Sequence, residues 1–220
     1  MARFAAFLDA CVLVPLAPCD TLLRMADSGA FRPLWSGRVI DEAMRALTRI
    51  HPSVDENRFL SRFRSMNEAF EDALVEGSER LEAAVELPDP DDRHVVAAAL
   101  RGRADAIITQ NTKDFPDSVL RPLGLEALPV DAFLLDQYDL NPRAACRVVS
   151  EQAAAMTHPP VGVETLLARW LAVGLRTSRT RWGGGCATTA VPSIARALTA
   201  GSRRSATRRS STAARSRRGR

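Results

Sequence analysis

Short apolar runs separated by amphipathic stretches are the feature that most restricts how this chain can fold. Residues 4–8 and 106–109 are too short for helices and show no polar alternation, as expected of strands buried on both faces. Residues 31–35 read as another short strand, 81–87 as a further one ended by Pro88-Asp89-Pro90, and 125–129 as an edge strand. Helical patterns fill the intervals. Asp20 can cap a helix that stops at Gly29, and Ser36 one that recurs at Val39, Ala43 and Leu47. A longer helix is expected from Asp55, with Phe59, Phe63, Met66, Phe70 and Leu74 on one face as core residues. Asp91 or Asp92 then caps an alanine-rich helix over 95–100 that Gly102 stops. Further helices are expected from Asp131, over 143–156 and over 161–173. Strand and helix alternating in this way predict an α/β fold with a mostly parallel central sheet flanked by helices. The last helices form a C-terminal helical extension.

The division expected along the chain is a domain over 1–140, the helical extension over 141–175 and a basic tail over 176–220. The tail makes the net charge of +4 misleading. All 26 acids precede residue 176, whereas residues 176–220 hold 12 Arg and no acid. The remainder keeps 18 basic against 26 acidic residues, so the body is acidic. Basicity alone therefore says little about the body's partners. The tail has two readings: a disordered arm that binds RNA electrostatically, or out-of-frame text from a GC-rich gene, since Lys113 is the one lysine among 30 basic residues. Cys11, Cys19, Cys146 and Cys186 form no CxxC pair and suggest neither a zinc site nor a disulfide framework. No apolar run approaches membrane-helix length, and the apolar N-terminal segment with its early Asp9 is unlike a signal peptide. A cytoplasmic protein that does not enter the membrane is the expectation.

In an open parallel sheet, ligands bind beyond the carboxyl ends of the strands. Asp9 ends the first strand there, and Asn111 and Asp114 follow the 106–109 strand. Asp92 opens a helix on the same side, and Glu42 lies about a turn into its own. Four acids from four segments can converge, which would push their pKa values upward unless a cation relieved the repulsion. Hard carboxylate oxygens suit Mg²⁺ or Mn²⁺, which can activate water and stabilise charge on a phosphodiester.

Four stretches give the pattern a family resemblance: Phe7-Leu8-Asp9-Ala10, Asp41-Glu42, Asp89-Pro90-Asp91-Asp92-Arg93-His94-Val95-Val96-Ala97-Ala98-Ala99, and Ile108-Thr109-Gln110-Asn111-Thr112-Lys113-Asp114-Phe115. In this order, over residues 1–140, the chain resembles PIN-domain proteins, and within them VapC-type toxins of bacterial toxin–antitoxin modules. The resemblance implies a PIN-like three-layer fold, RNA cleavage with Mg²⁺ or Mn²⁺, a homodimer and inhibition by a cognate antitoxin. Asp9, Glu42 and Asp92 match the family's metal-site acids. Asp114 is taken as the fourth ligand, although Asn111 stands where some members have an acid. Thr109 and Asn111 are expected to orient ligands or a water, with Asp89 and Asp91 supporting Asp92.

Several of these residues also have plainer readings. Asp91 and Asp92 could be helix caps, and Glu42 alone would pass for a solvated helix residue. Asp9 is the hardest to explain away, because a charge ending a buried strand needs a partner. His94 reads as a hydrogen-bonded helix residue rather than a general base. Arg38, Arg45, Arg93 and Lys113 could contact phosphates or balance the acids. The alternative function is a non-catalytic PIN-like module that binds RNA or a regulator. A dehalogenase-type phosphatase is disfavoured because the first strand ends Asp9-Ala10-Cys11, without a DxD nucleophile pattern. A receiver domain is disfavoured because no acid pair stands near the first strand and no lysine falls late in the domain.

Overall fold

The computed structural model describes residues 3–157, 159–172, 174 and 175. The first strand, β1 (Ala5–Leu8), is buried at every position. Asp9 follows it, and its carboxylate accepts the Ala10 amide at 2.6 Å, starting the short helix α1 (Ala10–Leu13). α2 (Leu16–Asp27) leads into β2 (Arg32–Ser36). Ser36 Oγ accepts the Val39 amide at 3.3 Å and caps α3 (Gly37–Ile50), which buries Val39, Ala43, Met44 and Leu47. Asp55 caps α4 (Glu56–Ala69), whose Phe63 and Met66 enter the core. Next come β3 (Leu74–Val75), α5 (Glu79–Glu82) and α6 (Arg93–Gly102). β4 (Ala106–Ile108), α7 (Asp117–Leu120) and β5 (Glu126–Leu128) precede α8 (Val130–Leu140), α9 (Pro142–Ala155) and α10 (Val163–Ala172).

The five strands form one sheet in the order β3-β2-β1-β4-β5, with every neighbouring pair parallel. A parallel sheet needs cover on both faces, and the complete burial of β1 and β4 meets that need. Chain order runs outward from β1 in both directions, so the carboxyl ends of β1 and β4 form the crevice where such sheets bind ligands. The register sets Leu8 opposite Ile108, which brings Asp9 beside Thr109.

The structure departs from the sequence pattern at three places. Residues 81–87 do not form a strand. The strand in this region is Leu74–Val75, which pairs with Trp35 and Ser36 of β2, and Glu79–Glu82 is helical instead. A two-residue ladder leaves no periodicity to read, and Leu74 had looked like the end of α4. α2 starts at Leu16 rather than at Asp20, which lies on the helix and pairs with Arg24 at 3.1 Å. Neither the Asp91 nor the Asp92 side chain accepts a capping hydrogen bond. Asp89 does so, accepting the Asp91 amide at 2.9 Å in the single 3₁₀ turn Pro90–Asp92. Gly102 does end α6, for a packing reason: a Cβ there would lie 2.8 Å from Val75 Cγ2 and 3.0 Å from Leu34 Cδ1. The glycine lets the helix end close onto β2 and β3.

The C-terminal helices dock on α2 through a buried polar link. Gln152 Nε2 donates to the Ala17 carbonyl at 2.9 Å, and its Oε1 accepts from Thr21 Oγ1 at 2.6 Å. Among the described cysteines, Cys11 and Cys19 are free thiols. Cys186 and the whole basic tail over 176–220 lie outside the described residues. Among the described residues no helix is long and apolar enough to cross a membrane.

Candidate active site

The strand end that carries Asp9 fixes its carboxylate from several sides. Oδ1 holds the Ala10 amide, while Oδ2 accepts the Thr109 hydroxyl at 2.7 Å and the Cys11 thiol at 3.2 Å. Thr109 Oγ1 in turn accepts the Asn111 amide at 3.0 Å, and Cys11 Sγ accepts the Gln110 amide at 3.2 Å. Residues of β1 and of the β4 exit loop are therefore tied directly across the crevice. Asp9 is buried, and these donors supply the partners that a buried charge requires. Burial and the Asp9 charge push the Cys11 thiol up to about 12, so it stays protonated and can donate to that carboxylate. Sequence reasoning passed over Cys11; its place two residues after a strand-ending acid was the available signal.

Asp92 stands on the opposite wall, at the start of α6, free of capping duty. Its carboxyl is raised to about 6 by burial and then by the charges of Asp9, Asp89 and Asp114. That set of influences brings acids from three segments into one electrostatic neighbourhood. Asn111 Nδ2 donates to Asp114 Oδ2, which joins the two candidates for the fourth position. Asp91 is exposed, and its carbonyl accepts from Arg38 Nη2 at 3.5 Å.

Glu42 has a different environment. Burial alone would raise its carboxyl, but His94, Arg38 and Arg45 together hold it below the usual glutamate value. The contacts are His94 Nε2 at 3.0 Å, Arg38 Nε at 3.6 Å and Arg45 Nη2 at 3.9 Å. The His94 contact is a 3.0 Å approach of Nε2 to Oε1 that is bent away from ideal hydrogen-bond geometry. Arg38 also reaches Glu82 at 3.3 Å, so one guanidinium links α3, α5 and the turn before α6. Nδ1 of His94 makes no hydrogen bond, and the expectation of a hydrogen-bonded helix residue rests on the 3.0 Å approach of Nε2 to Glu42. Arg38 and Arg45 act here as charge balance for Glu42.

Among the described residues, no three His, Cys, Asp or Glu side chains stand close enough to form a ready-made metal cage. The donor set is nevertheless all carboxylate oxygen, the chemistry that Mg²⁺ and Mn²⁺ prefer. Mg²⁺ keeps several waters and is usually held by one or two carboxylates, so it does not demand a cage. Burial raises Asp92 most, and the repulsion that adds to it is the kind a divalent cation relieves.

Residues 5–113 match the family described as PIN domain. The chain carries a PIN domain. Asp9, Glu42, Asp92 and Thr109 all lie inside the PIN-domain match, and Asp114 falls one residue beyond it. Residues 130–181 match a second family, described as VapC50 C-terminal domain, which begins at the first residue of α8. Over 76 residues the chain is 47% identical to a Mycobacterium tuberculosis (strain ATCC 25618 / H37Rv) protein named "Putative ribonuclease VapC50". The aligned stretch is 34% of this chain and 45% of that relative, so it spans less than half of the relative's length. No solved structure matches the chain.

Proposed function

We propose that this PIN-domain chain is a metal-dependent endoribonuclease, the toxin of a toxin–antitoxin module. The observation that carries the reading is the acid neighbourhood of Asp92, set in the crevice between β1 and β4 of a PIN fold. Similarity to a protein named as a ribonuclease supports RNA as the substrate, and the second family match supports the toxin class. In this reading residues 1–140 form the nuclease domain and 141–175 a helical extension, with the basic tail over 176–220 appended.

Asp9, Glu42, Asp92 and Asp114 would hold Mg²⁺ or Mn²⁺. When bound, the ion lowers the pKa of a water and stabilises charge on the phosphodiester under attack. The protein's own contribution is orientation. Thr109 and Cys11 fix Asp9 by donating to Oδ2, and Asn111 anchors Thr109 through its amide while holding Asp114. Asp89 shapes the 3₁₀ turn that presents Asp92, and the Asp91 carbonyl takes Arg38. Arg38, Arg45 and His94 keep Glu42 ionised, the state a ligand must have. The toxin class brings with it a cognate antitoxin, a homodimer and a cytoplasmic setting.

The test is cleavage of labelled RNA by the full chain, with Mg²⁺ or Mn²⁺ added and then withdrawn by chelator. Cleavage that needs the metal and disappears in Asp9→Asn and Asp92→Asn is expected. RNA binding that persists without any metal-dependent cleavage overturns the reading in favour of a non-catalytic RNA-binding module.

A further inference from the structure

His94 sits at a position where the fold asks for an apolar side chain. It is 2% exposed on the first turn of α6, and the five residues after it, Val95 to Ala99, are each fully buried apolar residues. Nδ1 makes no hydrogen bond, and Nε2 makes a contact only with Glu42. A buried, half-satisfied imidazole costs stability that an aliphatic residue would not cost. Packing therefore gives no reason for a histidine here, whereas the 3.0 Å contact with Glu42 gives one.

The distribution of contacts on Glu42 adds a second observation. His94, Arg38 and Arg45 all approach the same oxygen, Oε1. Arg38 and Arg45 reach Glu42 from its own helix, with side chains 47% and 70% exposed, and such pairs hold a rotamer weakly. His94 reaches it from α6, the helix that Asp92 opens, and its ring is locked by burial.

We propose that His94 is a positioning residue that pins Oε1 of Glu42 and so sets how that carboxylate meets the cation. This rests on the metal-dependent reading above and deepens it, by making the histidine set how Glu42 binds. Partners that orient a metal-ligating carboxylate affect metal affinity without touching the ion, typically by about 10–100-fold. His94 would thereby couple α6, which presents Asp92, to α3, which presents Glu42.

The test is Mn²⁺ titration of the full chain, with free Mn²⁺ followed by electron paramagnetic resonance, alongside RNA cleavage and thermal unfolding. His94→Leu removes the contact, and Gln can replace the Nε2 donor at similar reach. His94→Leu is expected to weaken Mn²⁺ binding about 10–100-fold, and His94→Gln to restore most of it. In the double variant with Glu42→Gln, loss of the histidine should add little, since it acts through that carboxylate. Should His94→Leu fail to fold, His94→Asn, whose amide is too short to reach Glu42, takes its place in the same comparison. Wild-type Mn²⁺ affinity in the folded Leu or Asn variant overturns the proposal and leaves the nuclease reading intact. So do losses that multiply independently in the double variant, or a Gln variant as weak as the Leu one. A wild-type protein that neither binds Mn²⁺ nor cleaves RNA overturns both readings together.

Discussion

Two carboxylates, Asp92 before α6 and Glu42 on α3, are treated in opposite ways by the fold. Burial and then the charges of Asp9, Asp89 and Asp114 push Asp92 up to about 6, whereas His94, Arg38 and Arg45 hold Glu42 low against its own burial. One wall of the site stores repulsion and the other is already neutralised. Repulsion of this kind is relieved by an added cation, so the Asp92 wall accounts for the need for a metal. The Glu42 wall accounts for orientation. An acid that is already compensated gains less from the ion, but its oxygen is better placed.

That contrast is open to breaking at several strengths. The largest effect expected is on catalysis: Asp92→Asn should lower RNA cleavage by roughly 100-fold or more, the scale of losing several kcal/mol of charge stabilisation. The same change should raise the unfolding temperature of the metal-free protein, because it removes a repelled charge. Glu42→Gln should do the reverse and lower it, leaving Arg38 and His94 without their acid. Equal signs for the two variants in a thermal scan without metal would erase the distinction between the walls.

Next in size is the Asp9 anchor. Thr109→Val removes a fully buried hydroxyl that donates to Asp9, and should cost about 1–3 kcal/mol in chemical denaturation as well as slow cleavage. A denaturation midpoint unchanged from wild type would show that Asp9 does not depend on this donor.

Acidity gives a smaller, directional test. The folded Asp92 keeps its proton up to about 6, against an ordinary value of 3.8, so between those values the folded state holds more protons than the unfolded one. Its contribution therefore makes the metal-free protein less stable as pH rises through that window. Glu42 acts oppositely: its lowered value contributes stability that is lost as pH falls below the ordinary 4.5. Unfolding temperatures measured with and without Mg²⁺ between pH 4 and 7 check the sign. The decline should appear without metal and flatten with it, since the cation binds the ionised form. A decline of equal slope under both conditions would detach Asp92 from the metal. Smallest of all is Arg45→Ala. Its side chain is 70% exposed, and the change should move stability by no more than about 0.5 kcal/mol.

Legibility from the sequence followed the strength of local signals. β1 and β4, as continuous apolar runs, the Ser36 cap and the helix from about Asp55 were readable because one segment carries the whole signal. β3 was not readable, because two residues become a strand only by pairing with Trp35 and Ser36. The identity of the cap before α6 was hidden for a related reason: Asp89, Asp91 and Asp92 are all good caps, and only the 3₁₀ turn chooses among them. His94 had no distinguishing pattern, since it matters through a neighbour 52 positions away, Glu42, and the one local sign of Cys11 was its place two residues after Asp9.

The sequence by itself determined the alternating α/β order, the parallel sheet and the presence of acids at its strand ends. Periodicity, capping and the burial demands of a strand are local physics, written in neighbouring residues. Only the tertiary structure decided which acids are repelled and which are compensated. Electrostatic environment depends on distance in space, and the register of β1 against β4, with the approach of α6 to α3, sets those distances.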